Sequence, residues 1–352
     1  MKYEFTGETK QIRVHGRSVT VRQIRAIRSF GCVKPGDTGG WIETERNLSQ
    51  EEDAWIADNA TVCESATVSG NATVYGAARV YGDATVCGDA AVFENAVVYG
   101  AAVVCDAARV FGEARVHENA AVFVTVRIYG SAVVRGTARV CGAARVCGRA
   151  DVYGDAVVYE AAVIYGTAVV RDAARVSGYA RVHEKAAVFG TARVYGSAVV
   201  CGTSRVCGTA RVYEDARVCG AARVSGTARV YRDATVCEDA VVCDAARVFG
   251  EARVYGDARI SGNTKICGTA RIRSGNHMLN IGPIGSRNDF TTFFLNKDGG
   301  ISVKCGYFSG DLDRFLEKAE EIHGGTKHAE AYRAAAALAM LQICTEKKEG
   351  EP

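Results

Sequence analysis

Three sets of side chains in this sequence have types and spacings that could do chemistry. Arg175, Arg193, Arg211, Arg229, Arg247 and Lys265 recur at intervals of 18 residues, and cations held on evenly spaced rungs can follow the phosphates of a polyanion. The run "GPIGSR" ends in Gly285, Ser286 and Arg287, where backbone amides and a guanidinium can face an anion together. His117 and His183 share one position of an internal repeat, and a histidine is the usual general base where an acceptor must be deprotonated. Fourteen cysteines complete the inventory, eleven of them in the same repeat slot as the histidines. That slot also takes Tyr, Phe and Ser, whereas a metal centre needs ligands at fixed places. Cys87 with Cys105, and Cys201 with Cys219 and Cys237, fall 18 apart; such pairs could cross-link if oxidised, but the expectation of a reducing cytoplasm argues against it. No Ser/His/Asp grouping, phosphate-binding loop or dinucleotide fingerprint accompanies them. The expectation is therefore no catalytic residue, no metal and no cofactor, with both histidines as corner residues.

The element that positions all of these is a six-residue period. From Ile56 to Ile272 a valine or isoleucine returns at every sixth position through 37 repeats, and alanine stands two places earlier except at Val126, Ser204 and Thr264. Residues two apart on a strand share a face, so the pattern predicts Ala and Val pointing inward and the residue between them pointing to solvent. Glycine two places after the valine, as in Gly76 and Gly82, suits a corner that a side chain would strain. Such short-period self-similarity is the signature of a solenoid. Three units make a turn, so each residue stacks on the one 18 later. The outward Asp151 is then expected to be freely exchangeable, and the inward Ala156 is not.

The run "VRQIRAIRSFGCVKPGDTGGWIETERNLSQEEDAWIADNATV" resembles the cap and first coil of the YdcK-type hexapeptide-repeat proteins, bacterial β-helix proteins often given an acyltransferase label. Arg22-Gln23, Gly39-Gly40-Trp41, Leu48-Ser49 and Trp55-Ile56 carry the likeness; more loosely, the repeats are similar to the polymer-forming bactofilin-like β-helices. The resemblance implies an all-β solenoid, a left-handed parallel β-helix of about 12 triangular coils; the handedness comes from it and not from the period. It brings no catalytic residue. Hexapeptide acyltransferases use a histidine base beside loops that interrupt the coils, and no such loop breaks the period here.

Residues 1–54 read as an N-terminal β cap, with a turn at His15-Gly16 and Trp41 as a lid over the first coil. Residues 55–273 form the β-helix. Residues 274–352 form a small α+β module: a hairpin of Phe290–Leu295 and Ile301–Cys305 turned by "NKDGG", a helix capped by Ser309 or Asp311, a second helix through "AEAYRAAAALAMLQI", and a charged tail. No apolar run reaches membrane-span length and the amino terminus lacks the core of a signal peptide, so a cytoplasmic protein without membrane contact is expected. Net charge is +3; nine Lys/Arg against five Asp/Glu in residues 1–50 leave 34 against 35 in the rest. A dedicated nucleic-acid binder shows a domain-scale basic excess. The arginine stripe thus reads as a solvated wall whose like charges are offset by flanking acids such as Glu214, Asp215 and Asp244. The expected role is a non-catalytic scaffold or interaction protein whose partner is protein, itself included. An acyltransferase-like enzyme and a polyanion-binding module are the alternatives.

Overall fold

The computed structural model describes residues 1–343, so the charged tail expected at the carboxyl end lies outside the described residues. The chain falls into two compact units, Met1–Glu184 and Lys185–Pro352, which between them hold a parallel β-solenoid of about 13 turns.

Each hexapeptide contributes a strand of two residues and a corner. In the first unit Arg139–Val140, Val157–Val158 and Arg175–Val176 pair in parallel and in register, 18 residues apart. In the second unit Arg193, Arg211, Arg229, Arg247 and Lys265 do the same. The ladder bonds are short: the Arg139 amide donates to Ala156 O at 2.9 Å and the Cys141 amide to Val158 O at 2.9 Å. Every key aliphatic from Ile56 to Ile272 is at most 1% exposed, and Val126 replaces an alanine at 0%. Ser204 and Thr264, the polar replacements, donate their hydroxyls to Cys201 O and Ser261 O at 2.7 Å, which satisfies a group that would otherwise be costly inside.

The corners lie in the left-handed backbone region. Glycine fills most of them, Gly154 at φ 68° among them, and a Cβ there would sit 2.9 Å from the Asp172 amide nitrogen of the next turn. Where glycine is missing the residue is often acidic, as at Glu160 (φ 58°), Glu238 (φ 59°) and Asp244 (φ 57°). Their carboxylates accept the amide one turn on: Gly178 at 2.6 Å, Gly256 at 2.8 Å and Gly262 at 3.0 Å. A charge-assisted bond thereby offsets a conformation that costs a non-glycine residue about 1–2 kcal/mol.

At the amino end, strands β1 (Tyr3–Val14) and β2 (Arg17–Ala26) form an antiparallel hairpin turned at His15-Gly16, and β3 (Thr38–Ile42) joins β2 to the coil strand Thr61–Val62. Trp41 is not the lid. Neighbouring strand residues face opposite ways, so it is Ile42 that enters the core, at 0% exposure beside the equally buried Ile24. Trp41 turns outward to pack with Val14, Val21 and Cys63, under Lys10 Nζ at 4.2 Å from its ring. Lys2 is fully buried and donates to the carbonyls of Glu51, Glu52 and Ala54 at 3.1, 3.2 and 2.7 Å.

In the second unit the period gives way to four antiparallel strands, Met278–Ile284, Asp289–Leu295, Ile301–Cys305 and Phe308–Asp311, followed by α1 (Leu312–His323) and α2 (Lys327–Gln342). Asp311, the last residue of the final strand, caps α1 by accepting the Arg314 amide at 2.8 Å; Ser309 lies two residues too early to do so. Alternation along Asp289–Leu295 splits the sheet between two jobs. Thr292 accepts the Lys265 amide of the final coils at 3.2 Å. Phe293 and Leu295 enter a separate core with Val303, Leu312, Phe315 and Tyr332. The module therefore closes the last coil with one face and carries helices on the other.

Candidate functional site

The six-cation stripe divides between the units. Arg175 lies in the first unit, its strand beside Val157–Val158. The other five lie in consecutive registered strands of the second unit, with Arg193 and Arg247 exposed and Arg211, Arg229 and Lys265 half-buried. Like charges on adjacent rungs repel, and the flanking acids were expected to relieve this. They do not. Among the described residues no carboxylate lies within 4.0 Å of Arg193, Arg211, Arg229 or Arg247, and Lys265 alone of the five is paired, to Asp289 at 3.2 Å. Asp244 shows why: its carboxylate already accepts a backbone amide of the next turn.

The corner slot shared by Tyr, Phe, Cys and His turns out to be ordered. In the first unit Tyr75, Phe93, Phe111 and Tyr129 stack ring on ring at 4.8, 4.8 and 5.1 Å. In the second, Tyr195, Tyr213, Tyr231 and Phe249 stack at 4.9 Å each. His117 and His183 belong to such stacks, each 4.6 Å from the ring below, Tyr99 or Tyr165, with Nδ1 3.5 Å from Glu118 Oε1 and 3.7 Å from Glu184 Oε1. Burial holds the His117 imidazole below its ordinary range, against the opposing pull of Glu118.

The same stacking corrects the cysteine reading for one pair. Cys87 and Cys105 form a disulfide across adjacent turns, their Cα atoms 4.6 Å apart. Rung spacing brings thiols into bonding range, but it does not by itself join them: Cys201, Cys219 and Cys237, on the same spacing, carry no disulfide. Burial, and then the neighbouring Cys219, push the Cys237 thiol up to about 11. Among the described residues no three His, Cys, Asp or Glu are placed to hold a metal ion, and no helix is long and apolar enough to cross a membrane.

Gly285, Ser286 and Arg287 form the hairpin turn between Met278–Ile284 and Asp289–Leu295, closed by the Asn288 amide donating to Gly285 O at 3.2 Å. Only glycine fits at 285: φ is 72°, and a Cβ would lie 1.8 Å from the Tyr332 hydroxyl oxygen. Ser286 and Arg287 of the turn line the rim of a cleft of about 480 Å³ whose floor includes Ile284, Phe308 and Phe315. Ser286 Oγ sits 3.4 Å from His323 Nε2, and the Arg287 guanidinium lies over the Tyr307 ring at 4.6 Å. Deeper in, the Cys305 thiol donates to Tyr332 Oη at 3.8 Å, and burial, then Cys305, push the Tyr332 phenol up to about 12. Sequence reasoning located the turn but not His323, Cys305 or Tyr332, which the two helices and a neighbouring strand bring to it.

Residues 252–268 match the family model of the YdcK β-solenoid repeat. The match falls in the coils rather than in the cap whose residues carry the resemblance. No curated protein matches the chain significantly.

Proposed function

We propose that this chain, which carries a YdcK-type β-solenoid repeat, is a non-catalytic scaffold that engages protein partners, a second copy of itself among them, through the walls of its coils. The observation that supports this is the registered outward surface. In the first unit Val97, Arg115, Val133, Asp151 and Val169 follow one another on consecutive rungs, and Val103, on another wall, is 37% exposed. A wall built this way is rigid, since every rung is fixed by its neighbours, and apolar side chains set among charges on such a wall suit a lateral interface. Sedimentation velocity on the full chain tests the reading. Association that rises with concentration and is lost in Val103→Asp, at unchanged melting temperature, is the expected outcome. A wild type that stays monomeric and retains no protein that Val103→Asp fails to retain would sink it.

A second reading, polyanion binding, draws support from the four unneutralised arginines of the second unit. Contacts of that kind are sequence-independent and decline with salt. An acyltransferase role rests on fold analogy, and its signature would be stabilisation by acyl-coenzyme A.

A further inference from the structure

We propose that the cleft of the C-terminal module binds a small carboxylate carried on an apolar body, the carboxylate meeting Arg287 and Ser286 at the rim and the body lying on the floor between the sheet and α1. The floor is built from Ile284, Phe308 and Phe315, and the volume of about 480 Å³ falls within the ordinary range of small-ligand sites. Two apolar side chains at its mouth remain uncovered, Tyr307 at 89% and Ile322 at 59% exposed.

The charge arrangement selects the sign of the ligand. Besides the Cys305 thiol and the two tyrosines, the charged or imidazole side chains that line the cleft are Arg287, Lys318, His323 and Asp289. Asp289, though it lines the cleft, already has partners, bound to Lys265 Nζ at 3.2 Å and to the Phe290 amide at 2.7 Å. Lys318 is matched by Glu321 at 2.8 Å. Among the described residues Arg287 has no carboxylate within 4.0 Å, and its guanidinium lies over the Tyr307 ring at 4.6 Å, a contact that leaves its N–H groups free to donate. Ser286 Oγ and His323 Nε2, 3.4 Å apart, add a donor beside it. A carboxylate is the planar acceptor that a fixed guanidinium edge matches bidentately.

The test is isothermal titration of the full chain with octanoate and 2-naphthoate, with 1-octanol lacking the charge and acetate lacking the body. Both carboxylates are expected to bind at one site per chain with a dissociation constant at or below about 1 mM, octanol at least about tenfold more weakly, and acetate not measurably. Arg287→Gln should weaken octanoate about tenfold; Ile322→Asn, on the exposed side of the helix, should weaken the carboxylates in parallel. Both variants change exposed positions and should keep the wild-type melting temperature, which separates lost binding from lost folding. The proposal is overturned if neither carboxylate binds the wild type, if octanol equals octanoate, or if Arg287→Gln binds as tightly as the parent.

Discussion

Val157 and Val158 are adjacent, identical in type and opposite in facing, so one substitution at each isolates the inward assignment from everything else. Val158 is 0% exposed and stacked between Val140 and Val176, whereas Val157 is half-buried on the wall. Val158→Ala removes two fully buried methyl groups at about 0.8 kcal/mol each and leaves a void that the rigid rungs above and below cannot close, for a total of about 2–3 kcal/mol. Val157→Ala loses strand propensity and partial cover, about 0.5 kcal/mol or less. In a chain of this size the first corresponds to a fall of roughly 3–4 °C in melting temperature and the second to less than about 1 °C. Urea unfolding followed by circular dichroism provides the check. The slope with denaturant must be compared between variants, because a repeat array can lose cooperativity and a midpoint then ceases to report a single free energy. Equal decrements for the two alanines, at equal slopes, would mean that the alternation does not decide what is core.

Gly154→Ala should destabilise the coil by about 1–2 kcal/mol through its left-handed backbone, and Gly154→Asn by clearly less; a thermal melt in which alanine is the milder change would contradict the corner geometry. His117→Tyr with His183→Tyr should leave the melting temperature unchanged, since tyrosine extends the ring stacks, and acyl-coenzyme A should not raise it in the parent. A saturable rise that either change abolishes would favour the enzyme. On heparin, each Arg→Gln among Arg193, Arg211, Arg229 and Arg247 should lower the salt slope of retention by about one contact, and identical elution of parent and Arg193→Gln/Arg211→Gln would leave the stripe a solvated wall. Asp151→Thr, which alternation alone marks as neutral, should cost about 0.5–1 kcal/mol, because Asp151 accepts Arg135 through both oxygens at 3.3 and 2.8 Å.

The coils were legible because one steric rule is written 37 times over: a small and a branched residue two apart can share only an inward face. What escaped lay at right angles to the chain. Glu160 reads as an ordinary surface acid until the residue 18 later is seen to offer its amide, and local preference gives no hint of a glutamate in the left-handed region. Trp41 was misread through register: one step along β3 exchanges the inward for the outward face, and size favoured the tryptophan where position chose Ile42. The turn at Ser286 and Arg287 could be found from its glycines, but its partners Tyr332 and His323 arrive from helices folded back across the sheet. Their spacing from the turn carries no signal.

Periodicity also limits what the coils can recognise. Arg193, Arg211, Arg229 and Arg247 stand one rung apart in registered strands and differ in exposure but not in charge, so a polyanion laid along them would meet the same charges after a shift of one rung, and affinity would accrue without register. Any preference for position must come from where the repetition ends. In the second unit that end is chemically marked: Lys265 continues the stripe but is tied to Asp289 of the closing sheet, which truncates the available charge to the four arginines. The sheet that makes this tie carries residues found nowhere in the repeat, and Asp289 itself lines the cleft at whose edge a single guanidinium, that of Arg287, stands. Degenerate contact along the wall and singular contact in the cleft thus follow from the same chain passing from a six-residue rule to an aperiodic module.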